Sequence, residues 1–410
     1  MRLWLCIALL CGGLSTAAAG EWPQILGPAR SGIASDERLP ATWPQTGPRV
    51  AWKAEVGAGY AGPAIADGKV VVFHRVGDSE RVEAFALASG KSLWQANFEA
   101  SYRGGIDPDL GPRCVPTIHQ GMVYVFGAGG DLHCVKLADG AKVWSRELAA
   151  DYAAPDGYFG AGSSPIVAGG RLWVNVGGKD AGLVALDLKT GKTLYQGTTE
   201  QASYSSPTLA TLNNRETLIF VTRYNCVGID PTTGEERFSF PFGKRGPTVN
   251  AATPLVFNKQ LFVSASYGVG AKLVSFTKSS PSTIWENDSS MSSQYTTCVY
   301  HAGHLYGVAG REDVGDATLR CIDATTGEVQ WDEAGFGIAH VILVGDQLLV
   351  VRQSGELMIA PASPQGFKPT AKAHAVRGTI RALPALADGK LLLRTVATGK
   401  SGELICVEVK

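Results

Sequence analysis

Four long segments of the sequence hold most of the side chains that could bind or transform a ligand. They run from Ala100 to Arg113, Ala149 to Ser163, Pro241 to Ala252 and Asn287 to Thr297. Their arginines could form bidentate contacts with an anion, and their tyrosines offer rigid surface with one polar atom. Together with two arginines from shorter loops, they predict a ligand-binding surface. Its candidate residues are Arg103, Asp107, Asp109, Arg113, Tyr158, Arg223, Lys244, Arg245, Tyr295 and Arg311.

The alternative is that these side chains only pack against or solvate long loops. A reactive centre is harder to assign than a binding surface. Asp107 and Asp109 could offer oxygen ligands to a hard cation, but no recognisable calcium loop surrounds them. The sequence contains no nucleophile-elbow motif, no zinc-protease helix motif and no phosphate-binding loop. We therefore expect no catalytic, cofactor-binding or metal-binding residue.

A repeated phrase predicts the elements that position these segments. Glycine is followed four residues later by an aromatic residue, as in the stretch from Asp323 to Trp331, and the aromatics recur at intervals of 43 to 51 residues. That period equals one four-stranded blade of a β-propeller. In three copies an Asp four residues before the glycine can accept hydrogen bonds from the backbone of a tight hairpin turn. The chain is therefore predicted to be all-β.

Counting strand units gives eight four-stranded antiparallel blades, with seven as the alternative because the seventh unit lacks the aromatic. The first strand of the chain, from Val50 to Lys53, has the sequence pattern of the fourth strand of a blade, but the other three strands of that blade do not precede it. The final segment, from Leu383 to Val409, has three strands with no fourth. Pairing these two segments would close the ring and leave no open sheet edge.

The repeat resembles the pyrroloquinoline-quinone-like propeller repeat, whose pattern is Asp-x-x-Thr-Gly-x-x-x-Trp. Members of that family include quinoprotein alcohol dehydrogenases and non-catalytic proteins such as the propeller lipoprotein of the outer-membrane β-barrel assembly machinery. The resemblance implies that one aromatic in each blade docks between neighbouring blades. The corresponding positions are Trp52, Trp94, Trp144, Tyr195, Phe238, Trp285 and Trp331.

The resemblance also suggests which functions to consider for this chain. The quinoprotein enzymes carry two adjacent cysteines over the cofactor and a Ca²⁺ beside a catalytic Asp, whereas no two cysteines are adjacent here. We therefore expect a non-catalytic binding or scaffolding module of the cell envelope, without a bound cofactor. The alternatives are a small dehydrogenase that uses pyrroloquinoline quinone and Ca²⁺, and a carbohydrate-binding module.

Composition limits the class of partner. Lys plus Arg and Asp plus Glu number 37 each, and Gly accounts for 50 of 410 residues. A chain of zero formal charge has no general electrostatic attraction for nucleic acid or for an anionic membrane surface. The glycine content suits many tight turns. We expect a monomer that binds a protein or peptide segment, or a carbohydrate, but no nucleic acid, and that has no transmembrane segment.

The beginning of the chain predicts export to the periplasm or the extracellular space. Residues 1–19 combine a basic start at Arg2, a short apolar core and three alanines before Gly20, as a cleaved signal peptide does. Lipidation at Cys11 is an open alternative. Residues 20–49 should form an irregular arm and residues 50–410 the propeller. Position in the repeat predicts that the six later cysteines are free, buried thiols, because the first and third strands of one blade are separated by the second strand and lie beyond disulfide reach.

Overall fold

The computed structural model describes residues 20–246, 248–278, 280–396 and 401–410. The predicted signal peptide and Cys11 lie outside the described residues. Thirty-two strands form eight four-stranded antiparallel sheets arranged in a ring, which confirms the eight-bladed propeller. The fallback of seven blades is wrong. No helix within the described ranges has the length and apolarity needed to span a membrane.

Blades 1 to 4 each contain four strands that are consecutive in the chain. They are β2 (Ala64–Ala66), β3 (Lys69–Val76), β4 (Ser79–Ala86) and β5 (Ser92–Glu99); β6 (Thr117–His119), β7 (Met122–Phe126), β8 (Asp131–Lys136) and β9 (Lys142–Glu147); β10 (Ile166–Ala168), β11 (Arg171–Gly178), β12 (Ala181–Asp187) and β13 (Thr193–Gly197); and β14 (Thr208–Leu212), β15 (Arg215–Val221), β16 (Asn225–Ile229) and β17 (Glu236–Pro241). A single-turn helix, α1 (Leu148–Asp151), follows β9.

Blades 5 to 7 repeat this order, and blade 8 joins the two ends of the chain. Their strands are β18 (Leu255–Phe257), β19 (Gln260–Ala265), β20 (Gly270–Ser275) and β21 (Ser282–Asn287); β22 (Val299–His301), β23 (His304–Ala309), β24 (Thr318–Asp323) and β25 (Val329–Glu333); β26 (Ala339–Val344), β27 (Gln347–Arg352), β28 (Glu356–Pro361) and β29 (Ala371–His374); and β30 (Ala385–Ala387), β31 (Lys390–Arg394), β32 (Gly402–Glu408) and β1 (Val50–Val56). The antiparallel pairing of β1 with β32 is the predicted ring closure.

The hairpin between the third and fourth strands of a blade forms as its sequence predicts. In blade 3 the Asp187 carboxylate accepts the backbone N–H groups of Lys189 and Thr190 at 3.2 and 2.8 Å. Gly191 then takes a φ of +67°, which lies in the left-handed region that favours glycine. An added Cβ at Gly191 would lie 2.7 Å from the ring of Trp144 in blade 2, so the glycine also makes room for that ring.

Aromatic side chains of the last strands lie in the seams between blades. Where the residue is tryptophan, the indole nitrogen donates to a backbone carbonyl of the next blade. The pairs are Trp52 with Leu87, Trp94 with Leu137, Trp144 with Leu188, Trp285 with Ala324 and Trp331 with Ser363, at 2.8 to 3.1 Å. Tyr195 packs on Gly234, and Phe238 packs on Phe276 with ring centroids 4.7 Å apart. Each ring therefore contacts two blades.

The seam after blade 7 has no aromatic from the blade itself, and the arm before β1 covers it. Ala373 stands in β29, and an added Cβ at Gly47 of the arm would lie 3.0 Å from the Ala373 Cβ. Trp43 of the arm is buried in the same apolar cluster as Ala371. The arm thus supplies the large side chain that this blade lacks.

The six cysteines among the described residues are buried free thiols, as predicted. Four of them lie on third strands of different blades: Cys134, Cys226, Cys321 and Cys406. Burial raises the pKa of the Cys134 thiol to about 12, so the group stays protonated and behaves as a small apolar side chain.

Candidate binding site at the channel mouth

The loops that join one blade to the next surround a cavity of about 180 Å³ at one mouth of the central channel. Five aromatic rings, contributed by different loops, line it. They are Tyr60, Phe159, Tyr204, Tyr267 and Tyr295. Burial raises the pKa of Tyr60 and of Tyr204 to about 12 each, so their hydroxyl groups remain donors near neutral pH. The cavity therefore presents apolar ring faces together with O–H groups.

Arg381, which precedes blade 8, is the most connected cation of the cavity. Its guanidinium carbon lies 4.3 Å from the ring centroid of Tyr60 and 5.6 Å from that of Tyr295. Its nitrogens lie 3.6 Å from a carboxylate oxygen of Asp107 and 3.1 Å from one of Glu312. Arg381 thus pairs with the carboxylates of Asp107 and Glu312 and holds the loops of blades 1, 6 and 8 together.

Arg113 is a second cation in the wall, with different partners. Its guanidinium donates to the backbone carbonyls of Gly111 and Asp109. It lies 5.4 Å from the ring centroid of Tyr60 and 5.5 Å from that of Tyr102. Within the described part of the chain it forms no ion pair with a carboxylate, so its charge is not cancelled by a neighbour.

The N-terminal arm forms the floor of the cavity. Ile25 lines the cavity from below. Arg30 is 1% exposed and donates to the carbonyls of Pro165 and Pro207, at the inner ends of blades 3 and 4. Trp22 and Ile65 exchange backbone hydrogen bonds at the inner strand of blade 1. The arm therefore crosses the channel, and the cavity is a cup rather than a pore.

A groove of about 400 Å³ continues from the cup over blades 2 to 4, and the two share Gly162, Tyr204 and Val249. Its wall includes Arg223, whose guanidinium carbon lies 5.9 Å from the ring centroid of Tyr158. Asn250, with 0% exposure, also lines it; the Nδ2 group is bonded, but Oδ1 has no partner among the described residues. The groove thus offers a cation and one unused acceptor.

His340 is a polar group of the cup that the sequence did not single out. Nε2 lies 3.1 Å from the carbonyl oxygen of Arg381 and must donate to it, because a carbonyl only accepts. Burial lowers the pKa of His340 to about 4, so the ring is neutral and Nδ1 is an acceptor. Nδ1 has no partner within the described ranges.

The ten predicted surface residues occupy different places. Asp107, Arg113 and Tyr295 line the cup, and Tyr158 and Arg223 line the groove. Arg311 lies in a separate depression, stacked 4.3 Å from the ring centroid of Tyr267 and paired with Asp313. The others do not line the cup or the groove: Arg103, Asp109, Lys244 and Arg245.

Two of these four have clear structural roles. Asp109 is fully buried, and its carboxylate accepts the backbone N–H groups of Gly59 and Gly111, so it shapes the loop. Arg103 donates to the carbonyl of Ala100 in its own loop. The Lys244 ammonium donates to the Gly268 carbonyl, and Arg245 is exposed.

Sequence reasoning missed Tyr60, Arg381 and the arm residues at the floor. Tyr60 and Arg381 stand in short stretches just before the first strands of blades 1 and 8, not in the long loops. The signal that could have found them is register: each occupies the same point of its unit, a few residues before a Pro or Leu that opens the inner strand.

The carboxylates of the cup do not fit a Ca²⁺ site. Ca²⁺ takes about six to eight oxygen ligands, including carboxylates. Asp107 and Glu312 are both paired with Arg381, whose charge would repel the metal ion. No group of three or more His, Cys, Asp or Glu side chains suited to a metal ion occurs in the ranges that the structure describes.

The fold is similar to several solved propellers. BamB from Moraxella catarrhalis is 18% identical, with a TM-score of 0.61 over 87% of this chain and 98% of that chain. A europium-containing methanol dehydrogenase is 11% identical, with a TM-score of 0.74 over 95% and 98%. Quinohemoprotein alcohol dehydrogenase from Comamonas testosteroni is 14% identical, with a TM-score of 0.66 over 95% and 80%. At these identities the likeness concerns the fold alone.

A search among curated proteins gave no match. The family model described as outer membrane protein assembly factor BamB matches residues 78–333, more than half of the chain. The matched segment runs from β4 to β25 and contains six of the seven docking aromatics. The chain therefore belongs to the outer membrane protein assembly factor BamB family.

Proposed function

We propose that this protein is an exported, non-catalytic propeller that binds a segment of a partner protein at its channel mouth, as a binding or scaffolding module of the cell envelope. In this proposal residues 1–19 are removed on export, residues 20–49 are the arm and residues 50–410 are the propeller. The family name, an outer membrane protein assembly factor, supports both a protein partner and an envelope location.

The observation that carries the proposal is the composition of the cup. Tyrosine faces and arginines are the side chains that dominate binding energy in protein interfaces. The cup's two nearest carboxylates are paired with Arg381, and its imidazole, His340, is neutral and buried. A general acid or base needs a titratable group within reach of the substrate and a pKa near the working pH. This composition supports binding over catalysis.

Exposed apolar side chains on the rim add to this surface. Ile106 is 64% exposed and Val314 is 58% exposed, and both lie in loops of the channel-mouth face. The backbone N–H of Ile106 donates to the carbonyl of Tyr158, so the loop that carries Ile106 contacts a residue of the groove wall. Both side chains add apolar area that a bound partner segment could cover.

Site-specific photocrosslinking in the native cell envelope tests the proposal. A photoreactive amino acid at Ile106 should yield a discrete, protease-sensitive adduct with one partner. The matched control places it at Leu194, which is 49% exposed on β13 at the outer side of blade 3, and should yield none. Equal adducts at both positions would contradict a specific channel-mouth interface, and a protease-resistant adduct would indicate a carbohydrate instead.

A further inference from the structure

Of the two arginines in the cup, only one is neutralised. Arg381 lies within 3.6 Å of carboxylate oxygens on two residues, whereas Arg113 donates only to carbonyl oxygens and pairs with no carboxylate in the described part of the chain. Carbonyl groups satisfy donors but carry no net charge. Arg113 therefore presents a guanidinium without a carboxylate partner in the wall of the cavity, where attraction to an anion is stronger than in bulk water.

The neighbouring aromatic rings fix the orientation of the Arg113 guanidinium. The Tyr60 and Tyr102 ring centroids lie 5.4 and 5.5 Å from the guanidinium carbon, which limits its rotation. Its Nε atom is buried and has no hydrogen-bond partner among the described residues. A planar guanidinium held in this way is suited to a carboxylate, which it can bind through two parallel hydrogen bonds.

The groove beside the cup suits an extended chain. Its lining includes Gly129, Gly157 and Gly160, and its volume is about 400 Å³. Asn250 lines the groove and is fully buried, and its Oδ1 has no hydrogen-bond partner among the described residues; a peptide N–H that reached this atom would supply the missing donor. Because the groove and the cup share Tyr204, a segment could pass from one to the other without leaving the surface.

We propose that the cup and the groove together bind an extended peptide segment that carries a carboxylate, with the carboxylate paired to Arg113 and a peptide N–H donated to Asn250. This inference rests on the proposed function and names the chemistry of its partner. The carboxylate could be an Asp or Glu side chain or a free chain end. Both sources present the same two oxygens, so the experiment must separate them.

The test uses immobilised hexapeptide libraries that have Tyr at the fourth position and are degenerate at four others, with Asp and Glu left out of the degenerate positions. The last residue is Glu or Gln, and the chain end is either free or amidated. Retention of the mature wild-type protein on each of the four libraries is measured. We expect at least about tenfold stronger retention on libraries with a carboxylate than on the Gln-amide library, as for a charge-assisted pair. Glu-amide and Gln-acid libraries show which source is preferred.

Variants in one loop provide matched controls. Arg113→Gln should abolish the preference for a carboxylate, whereas Arg103→Gln should keep it, because Arg103 lies in the same loop but does not line the cup. Thermal unfolding followed by tryptophan fluorescence confirms that both variants are folded. Equal retention of the wild-type protein on all four libraries would overturn the proposal, and so would a preference that survives Arg113→Gln.

A second measurement covers the case in which Arg113→Gln does not fold. Bound wild-type protein is then eluted from the preferred library with 3-phenylpropanoate or with 3-phenylpropanamide, which differ only in the charge of the end group. Elution by the carboxylate at an at least about tenfold lower concentration supports the proposal; equal elution overturns it. Retention on no library, together with a discrete adduct at Ile106, would refute the carboxylate segment and leave the proposed function standing.

Discussion

Trp144 shows how a single residue joins two blades. Its side chain is 8% exposed and donates to the Leu188 carbonyl of the next blade. We expect Trp144→Ala to lower the free energy of unfolding by about 3–5 kcal/mol, because a large ring leaves a cavity and the carbonyl loses its donor. Urea denaturation measures this change. Leu93→Ala, at an exposed position of β5, is the control and should cost under about 0.5 kcal/mol. A loss below about 1 kcal/mol for Trp144→Ala would refute the docking role.

Substitutions at two glycines, one of which packs against the Trp144 ring, measure backbone strain and overpacking separately. Gly191 and Gly170 have φ values of +67° and +73°, but an added Cβ meets the Trp144 ring at 2.7 Å only at Gly191. Gly170→Ala should therefore cost about 1 kcal/mol through backbone strain alone. Gly191→Ala should cost at least about 1 kcal/mol more, because overpacking adds to the strain. Equal losses in urea denaturation would show that the ring moves aside freely.

Glu80, on β4, should make the stability depend on pH. Burial raises its pKa to about 7 from 4.5, so between these values the folded state holds a proton that the unfolded state has released. Stability from this group is therefore complete below pH 4.5 and is lost as the pH rises to about 7.

Replacement of this carboxyl by an amide tests the sign of the effect. Glu80→Gln should match the wild type near pH 4.5 and exceed its unfolding free energy by on the order of 2 kcal/mol at pH 8. Chemical denaturation across that range measures the difference. The exposed Glu99→Gln on β5 is the control, with a change within about 0.5 kcal/mol. A wild type that stays more stable than Glu80→Gln at pH 8 would contradict the pKa direction.

At the scale of elements, the arm is a structural part of the ring although it contains no strand. Arg30 is 1% exposed, and burial lowers its pKa to about 9; it remains charged at neutral pH because carbonyls of blades 3 and 4 accept its hydrogens. Replacing it would leave those carbonyls buried without donors. The arm thus connects the beginning of the chain to blades 3 and 4.

We expect Arg30→Met to lower the free energy of unfolding by about 3 kcal/mol or more, since each unsatisfied buried carbonyl costs about 1–3 kcal/mol. The exposed Arg38→Met, in the same arm, should change it by less than about 0.5 kcal/mol. Thermal and urea unfolding of both variants compare the two positions. If Arg30→Met were as stable as Arg38→Met, the arm would be a loose cover rather than part of the core.

For the whole molecule, the sequence predicted the architecture well because the repeat is local. The Asp187 turn, the following glycine and the docking Trp144 lie within one unit or its neighbour, so period and residue type suffice to place them. The cup depends on loops that are more than 300 residues apart in sequence. Tyr60 and Arg381 approach only because the ring closes, and no local pattern reports that distance. The role of Arg30 could not be predicted either, because this residue lies in an irregular arm that has no repeated sequence pattern.

Ring closure itself is therefore the feature on which the site depends, and it can be tested with a disulfide. In the closing pair, Glu55 of β1 lies opposite Glu403 of β32, which places two like charges side by side. Directly paired Cα atoms of antiparallel strands are within about 4.5–5.5 Å, which suits a disulfide. The six native thiols of the described chain are buried and so do not compete for the new pair.

Oxidation of a Glu55→Cys, Glu403→Cys double variant should raise the unfolding free energy by about 2–4 kcal/mol over its own reduced form, because the bridge links the two ends of the ring in the unfolded state. The reduced form is the matched control, since it has the same side chains and lacks only the bond. Urea denaturation with and without a reductant gives the difference, and mass spectrometry confirms the bridge. If oxidation leaves the urea midpoint unchanged, the β1–β32 pair opens before the ring unfolds, and the cup between blades 1 and 8 would open with it.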